Sequence, residues 1–152
     1  QIFTKKIPVS DPTIYICAPK DPSMVKSSNK EAWFVLVNAP RHDVEAGWDW
    51  RSGGDEYAKL IINKLDKLGL NVSSRLEVMQ VRTPFDLESY AMAPGGSIYG
   101  TSSNSAASAF LRARNRSKVK GLFCVGGSAH PGGGLPLVGI SAEIVAKAIG
   151  KA

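Results

Sequence analysis

The spacing of apolar residues changes along the chain, and each change predicts an element. Thr13-Ile-Tyr-Ile-Cys-Ala18 is a short run of strand formers between Pro12 and Pro19, and Ala32–Asn38 is a second, continuous apolar run. The polar Asp21–Lys30 stretch joins them as an antiparallel pair, and the unbroken apolarity of the second run predicts burial on both faces. From Asp55 to Leu68 the period becomes helical: Tyr57, Leu60, Ile61, Leu65 and Leu68 share a face that Lys59, Lys64 and Lys67 avoid. Asp55 and Glu56 suit the positive end of that helix, and Gly69 suits its stop. Ala39–Gly54, with Pro40, three glycines, Trp48 and Trp50, reads as a long loop. Leu76–Arg82 alternates as a third strand, and Asp86–Met92 reads as a short helix.

Beyond residue 93 the pattern is dominated by small residues. Pro94–Gly100 is rich in turn formers and Thr101–Ser108 is small and polar. Arg112, Arg114, Arg116, Lys118 and Lys120 follow at two-residue spacing. Such a row suits phosphates, but it is also the ordinary solvated edge of an extended segment, and no aromatic is interleaved for base stacking. A short strand at Leu122–Val125 then leads through a glycine-rich loop into a helix from Leu137 to Ile149. Ile140, Ile144, Val145 and Ala148 form its apolar stripe, Pro136 lies in the first turn and Gly150 at the end.

Composition narrows the class. With 43% hydrophobic and 21% charged residues the chain is globular rather than disordered. The longest apolar run, Ala32–Val37, is far short of the roughly 20 residues needed to cross a bilayer. No signal peptide is readable, and a first residue other than Met points to a piece of a longer protein. The net charge of +6 fits an anionic partner, although an excess of lysines on a globular surface is the stronger explanation. Cys17 and Cys124 sit in apolar runs as small buried hydrophobes, and neither His42 nor His130 stands at metal-ligand spacing from them.

The chemistry of the chain concentrates in Gly121-Leu-Phe-Cys-Val-Gly-Gly-Ser-Ala-His-Pro-Gly-Gly-Gly-Leu-Pro-Leu-Val138. Strand, glycine loop and helix N-terminus in that order suit an anion, because free N–H groups and the helix dipole point the same way. Gly126, Gly127, Gly132, Gly133 and Gly134 would admit a ligand to the backbone, with Ser128 and His130 as hydrogen-bonding groups. Neither G-x-G-x-x-G nor a P-loop occurs in the chain, so this is no primary phosphate cradle. A purely structural turn between strand and helix satisfies the same spacing.

That segment resembles the C-terminal, FAD-contacting segment of the carotenoid (phytoene and diapophytoene) desaturases, within the amine-oxidase-like flavoproteins. The resemblance extends through Ala93-Pro-Gly-Gly-Ser-Ile-Tyr-Gly100, Phe110-Leu-Arg112 and Ala39-Pro40. It departs at Gly127, where related flavoproteins carry an acidic residue, and at Ala113, where a proline is common. The resemblance implies an α/β chain, strictly an α+β fragment. Residues 1–95 would be part of a substrate-domain sheet with its helix, and 96–152 the strand, loop and helix of an FAD-binding, Rossmann-like domain. It implies an FAD-dependent oxidoreductase that removes hydrogens from a polyene. Gly126, Gly127 and Ser128 would line the cofactor, and Gly133, Gly134, Leu135, Pro136 and Leu137 would stand at the flavin end. A βαβ unit outside this chain would hold the ADP half, leaving these 152 residues with little FAD affinity alone. Catalytic residues stay unassigned, with His130 the weak candidate, and Tyr99 and Trp33 either line a substrate channel or pack. The implied partners are a polyisoprenoid substrate and a membrane surface on the cytoplasmic side, not nucleic acid. Another amine-oxidase-like substrate, or isomerase, ketolase or saturase chemistry on a carotenoid, stays open as the alternative, and a basic nucleic-acid-binding module using the Arg112–Lys120 row as the remote one.

Overall fold

In the computed structural model, residues 1–150 are described except 26, 44 and 102–111. The small, polar Thr101–Ser108 stretch and the Phe110-Leu111 pair therefore fall almost entirely outside the described residues. The chain divides into two compact units, Gln1–Gly96 and Ser97–Ala152. Its architecture is α+β: a two-stranded antiparallel sheet and, among the described residues, three helices.

In the first unit, β1 (Ile14–Cys17) and β2 (Phe34–Val37) pair with Ile14 opposite Val37 and Cys17 opposite Phe34. The antiparallel pairing matches the sequence expectation. The double burial of β2 does not, because Phe34 is 60% exposed. Alternation puts Tyr15, Cys17, Phe34 and Leu36 on one face of the ribbon, and Tyr15, Phe34 and Leu36 are exposed there. The third strand at Leu76–Arg82 is also absent. This segment is irregular, with Val78 86% exposed, and it finds no ladder partner among the described residues. Alternation supplies a face to bury, but a strand forms only when a neighbour takes its hydrogen bonds.

Helix α1 (Trp50–Lys67) starts five residues before the predicted start, inside what the glycines marked as loop. Asp49 caps it, its carboxylate accepting from the Arg51 N–H at 2.9 Å. Gly53 and Gly54 are therefore helical, and their role is close approach. A Cβ on Gly53 would stand 2.6 Å from the Trp48 ring, and one on Gly54 would stand 2.5 Å from Thr83 Cγ2. Asp55 and Glu56 consequently lie past the first turn, and it is Asp49 that meets the helix dipole. The buried face runs Trp50, Gly54, Tyr57, Leu65, whereas Leu68 points to solvent. Trp48, Trp50 and Tyr57 meet edge to face, with centroids 5.9–6.4 Å apart. Trp50 donates to the Pro40 carbonyl and Tyr57 to the Val9 carbonyl. Burial pushes the Tyr57 phenol up from its ordinary value, partly offset by that hydrogen bond.

The stop of α1 matches the expectation from Gly69. Its φ is +87°, its N–H bonds the Asp66 carbonyl, and the Leu70 N–H bonds the Leu65 carbonyl, as in a Schellman cap. Helix α2 (Pro84–Ala91) begins two residues before the predicted start, on a capping box. The Thr83 hydroxyl accepts from the Asp86 N–H, and the Asp86 carboxylate accepts from the Thr83 N–H at 2.7 Å. The bonds that the carboxylate accepts from the Thr83 N–H and hydroxyl hold the Asp86 carboxyl below its ordinary pKa.

In the second unit, α3 (Leu135–Ile149) starts two residues before the predicted Leu137, with Pro136 in the first turn and Gly150 at its end. Its packed face is Val138, Ser141, Ile144, Val145 and Ala148, which includes three of the four expected stripe residues; Ile140, the fourth, faces out. The expected strand at Leu122–Val125 reduces to one antiparallel bridge between Arg116 and Phe123, with a parallel bridge between Ala113 and Ala129 nearby.

Candidate functional site

The glycine loop is held at both ends by one buried side chain. Asn115 is 7% exposed, and its amide donates to the carbonyls of Cys124 at 3.0 Å and His130 at 2.9 Å, flanking the loop. The same amide lies 2.9 Å from the Ser141 hydroxyl on α3. Two obligate acceptors on one atom fix the amide's orientation. Ser141 is fully buried and its oxygen also accepts from the Gly126 N–H at 3.2 Å. Backbone bonds from Cys124 to Asn115 and from His130 to Ala113 complete the frame, and the His130–Pro131 peptide is cis.

Arg112 makes a second tie. Its guanidinium donates to the Tyr99 carbonyl at 2.7 Å and to the Gly127 carbonyl at 3.3 Å, which brings a fixed positive charge against the loop. The basic row is thus not uniform. Arg112 turns to backbone carbonyls, and Arg116 reaches the Ala148 carbonyl and lies 6 Å or less from the Phe123 ring centre. Arg114, Lys118 and Lys120 are exposed.

The expected site residues come together in this unit, in distinct environments. Gly126 (φ +114°) and Gly134 (φ +99°) occupy the left-handed half of backbone space, and open space lies where each would carry a Cβ. Gly126, however, spends its N–H on Ser141. Gly127 and Gly133 face the Tyr99 ring. A Cβ on Gly127 would rest 3.6 Å from Tyr99 Cδ1, and one on Gly133 would collide with Cδ1 and Cε1. Ser128 is exposed, and its backbone runs beside Gly100. Gly134 is the N-cap of α3 with no side-chain cap, so the Leu135 and Leu137 N–H groups stay at the helix's positive end. Pro136 has no N–H, and Leu135 is 90% exposed. The His130 side chain is exposed, and the loop uses its backbone. Trp33 lies in the other unit, donating to Glu31 at 2.7 Å. Among the described residues no group of three or more metal-binding side chains forms, and both cysteines are free and partly exposed rather than buried.

Asn115 and Ser141 are the residues that sequence reasoning missed. Asn115 is hidden inside a basic row, where polarity attracts no notice. Ser141 carried a usable signal: a polar residue on the apolar face of a helix must find a buried partner.

No family model matches the chain. Among curated proteins it is 37% identical over 151 residues to 1-hydroxycarotenoid 3,4-desaturase of Flavobacterium sp. (strain P99-3), covering 97% of this chain and 30% of that protein. It is 31% identical over 153 residues to 4,4'-diapophytoene desaturase (4,4'-diaponeurosporene-forming) of Staphylococcus haemolyticus (strain JCSC1435), covering 97% and 30%. It is 31% identical over 142 residues to 4,4'-diapolycopene oxygenase of Methylomonas sp, covering 89% and 28%. The chain thus spans about 30% of the length of the curated relatives it matches. Over nearly its whole length the chain is therefore similar to curated carotenoid desaturases, and it matches a C-terminal fragment of such proteins.

Proposed function

We propose that this chain forms one wall of an FAD site in an oxidoreductase that desaturates a carotenoid precursor such as phytoene or diapophytoene. The observation that carries this reading is the entry to α3. An uncapped helix start opens at a left-handed glycine with free space around it, in a chain whose relatives are named for carotenoid desaturation. Residues 96–152 make the cofactor segment in this reading, and residues 1–95 belong to the substrate side.

The residues fit a dinucleotide cofactor. Gly126 and Gly134 leave room for a ligand where a Cβ would stand, and two positive features, the start of α3 and the Arg112 guanidinium, border the same loop. When bound, FAD supplies the two-electron oxidation that removes two hydrogens from adjacent carbons of the polyene. The chain's residues bind and orient. The Leu135 and Leu137 N–H groups and the α3 dipole favour negative charge at that end. Gly127, Ser128, Gly133 and Pro136 shape the wall, and the exposed Leu135 side chain offers an apolar surface to a greasy substrate. No proton is assigned to His130, whose backbone holds the loop.

A carotenoid substrate places the work at a membrane surface. No helix among the described residues is long and apolar enough to cross a membrane. Exposed Arg114, Lys118 and Lys120 next to exposed Val119 and Leu122 suit peripheral contact with anionic lipid.

The test is reconstitution of the full-length protein with FAD and phytoene in phosphatidylglycerol vesicles. Products lighter than phytoene by pairs of hydrogens support the reading. An oxygen-bearing product points instead to oxygenase chemistry, and failure to take up FAD overturns the proposal. Binding that ignores the vesicle's charge removes the membrane clause alone.

A further inference from the structure

We propose that Tyr99 is a binding residue, its ring serving as a platform for a flat conjugated ligand. This rests on the reading above that a ligand approaches the glycine loop.

Three observations converge on Tyr99. Its φ of +67° lies in the left-handed region, which a bulky L residue enters only at a cost. Strain of this kind persists where the surroundings enforce it, and here they do. Arg112 holds the Tyr99 carbonyl at 2.7 Å, and the following Gly100 (φ +75°) is pressed so close to Ser128 that a Cβ would meet its carbonyl oxygen at 3.0 Å. Second, the ring rests against the two glycines of the loop that have no room to spare, Gly127 and Gly133. Third, the ring is not consumed by this packing: Tyr99 stays 52% exposed.

A side chain whose role was to fill the notch would be buried in it. Here backbone supports one part of an aromatic ring and the rest stays open. That arrangement costs strain, and it displays a π surface beside the uncapped start of α3. The ligand such a surface takes is planar and conjugated, because offset stacking rewards flat overlap. Two sources share that chemistry, a flavin ring and a polyene, and both are tested. The phenol itself is not required, so the ring carries the interaction.

The variants are Tyr99→Phe, which keeps the ring, and Tyr99→Asn, which loses it but tolerates a left-handed backbone. Each is made in the full-length protein and titrated with FAD and, separately, with lycopene in detergent. Visible circular dichroism of the bound chromophore and the far-ultraviolet spectrum are recorded alongside. We expect Tyr99→Phe to match the wild type. Tyr99→Asn should weaken one of the two probes by about 2- to 12-fold and alter that chromophore's dichroism, with the fold intact. Loss confined to FAD identifies the flavin ring as the platform's ligand, and loss confined to lycopene identifies the polyene. A wild-type protein that takes up no FAD overturns the proposed function, while the lycopene arm still decides this one. Unchanged affinity and dichroism for both probes in Tyr99→Asn, or a Tyr99→Phe variant as impaired as Tyr99→Asn, overturns the platform.

Discussion

The two units of this chain differ in charge and in what holds them together. Gln1–Gly96 contains twelve Lys and Arg against twelve Asp and Glu, whereas Ser97–Ala152 contains seven against the single Glu143. The whole net charge of +6 therefore belongs to the second unit. The first is built on apolar packing around α1, with Trp50, Tyr57, Leu65 and Val72 buried. Among the described residues, the buried apolar side chains of the second are only Ala129 and Val145, and its centre is the polar pair Asn115 and Ser141. A unit this small gains little from apolar burial, so directed hydrogen bonds carry the specificity of its loop. The same device keeps glycine backbone in place without covering it, as a ligand-facing wall requires.

The sharpest way to break this contrast is to damage each centre separately. All three tryptophans lie in the first unit, so their fluorescence reads it alone, and hydrogen exchange of residues 112–150 reads the second. Trp50→Ala should lower stability by about 3–5 kcal/mol and shift the fluorescence midpoint strongly. Asn115→Ala strands the Cys124 and His130 carbonyls and leaves the Ser141 hydroxyl only its bond from the Gly126 N–H, and should cost about 3 kcal/mol. It should raise exchange across 112–150 while the tryptophan midpoint holds. A midpoint that moves equally in both variants would show that the contrast describes composition, not energetics.

Gly133→Ala sharpens the picture at the loop. Its Cβ strikes the Tyr99 ring, so it should destabilise by about 1–3 kcal/mol. In a Tyr99→Asn background the penalty should largely vanish. An equal cost in both backgrounds, measured by a thermal double-mutant cycle, would mean that the glycine serves the backbone and not the ring.

The smallest effect concerns pH. Asp86 has a lowered pKa in the folded state because the Thr83 N–H and hydroxyl bond its carboxylate. Its stabilisation is present above the unfolded carboxylate value of about 4 and is lost as pH falls through the lower folded value. Asp86→Asn should cost about 1 kcal/mol at neutral pH and flatten the acid limb of the tryptophan-monitored stability curve. An acid limb as steep as the wild type's would assign the loss to other carboxylates.

Local signals were legible where a few neighbouring residues suffice. The β1–β2 pairing, the stop of α1 at Gly69 and the gathering of the glycine run at the start of α3 all follow from short-range chemistry. The misreadings have the opposite character. Gly53 and Gly54 look like loop residues until Trp48 and Thr83 are seen pressed against them. Leu76–Arg82 alternates like a strand yet has no neighbour to pair with among the described residues.

By itself, then, the sequence determined the periods of the helices, their glycine and proline punctuation, the charge on each stretch and the family to which the glycine run points. Those are properties of residues a few positions apart, where propensity and capping act. Only the tertiary structure decided that Asn115 reaches both ends of the loop, that Arg112 turns inward from its row, and that Tyr99 lies on Gly127 and Gly133. These contacts join residues 9 to 34 positions apart, and one buried amide or one missing Cβ acquires its meaning only from what folding brings against it.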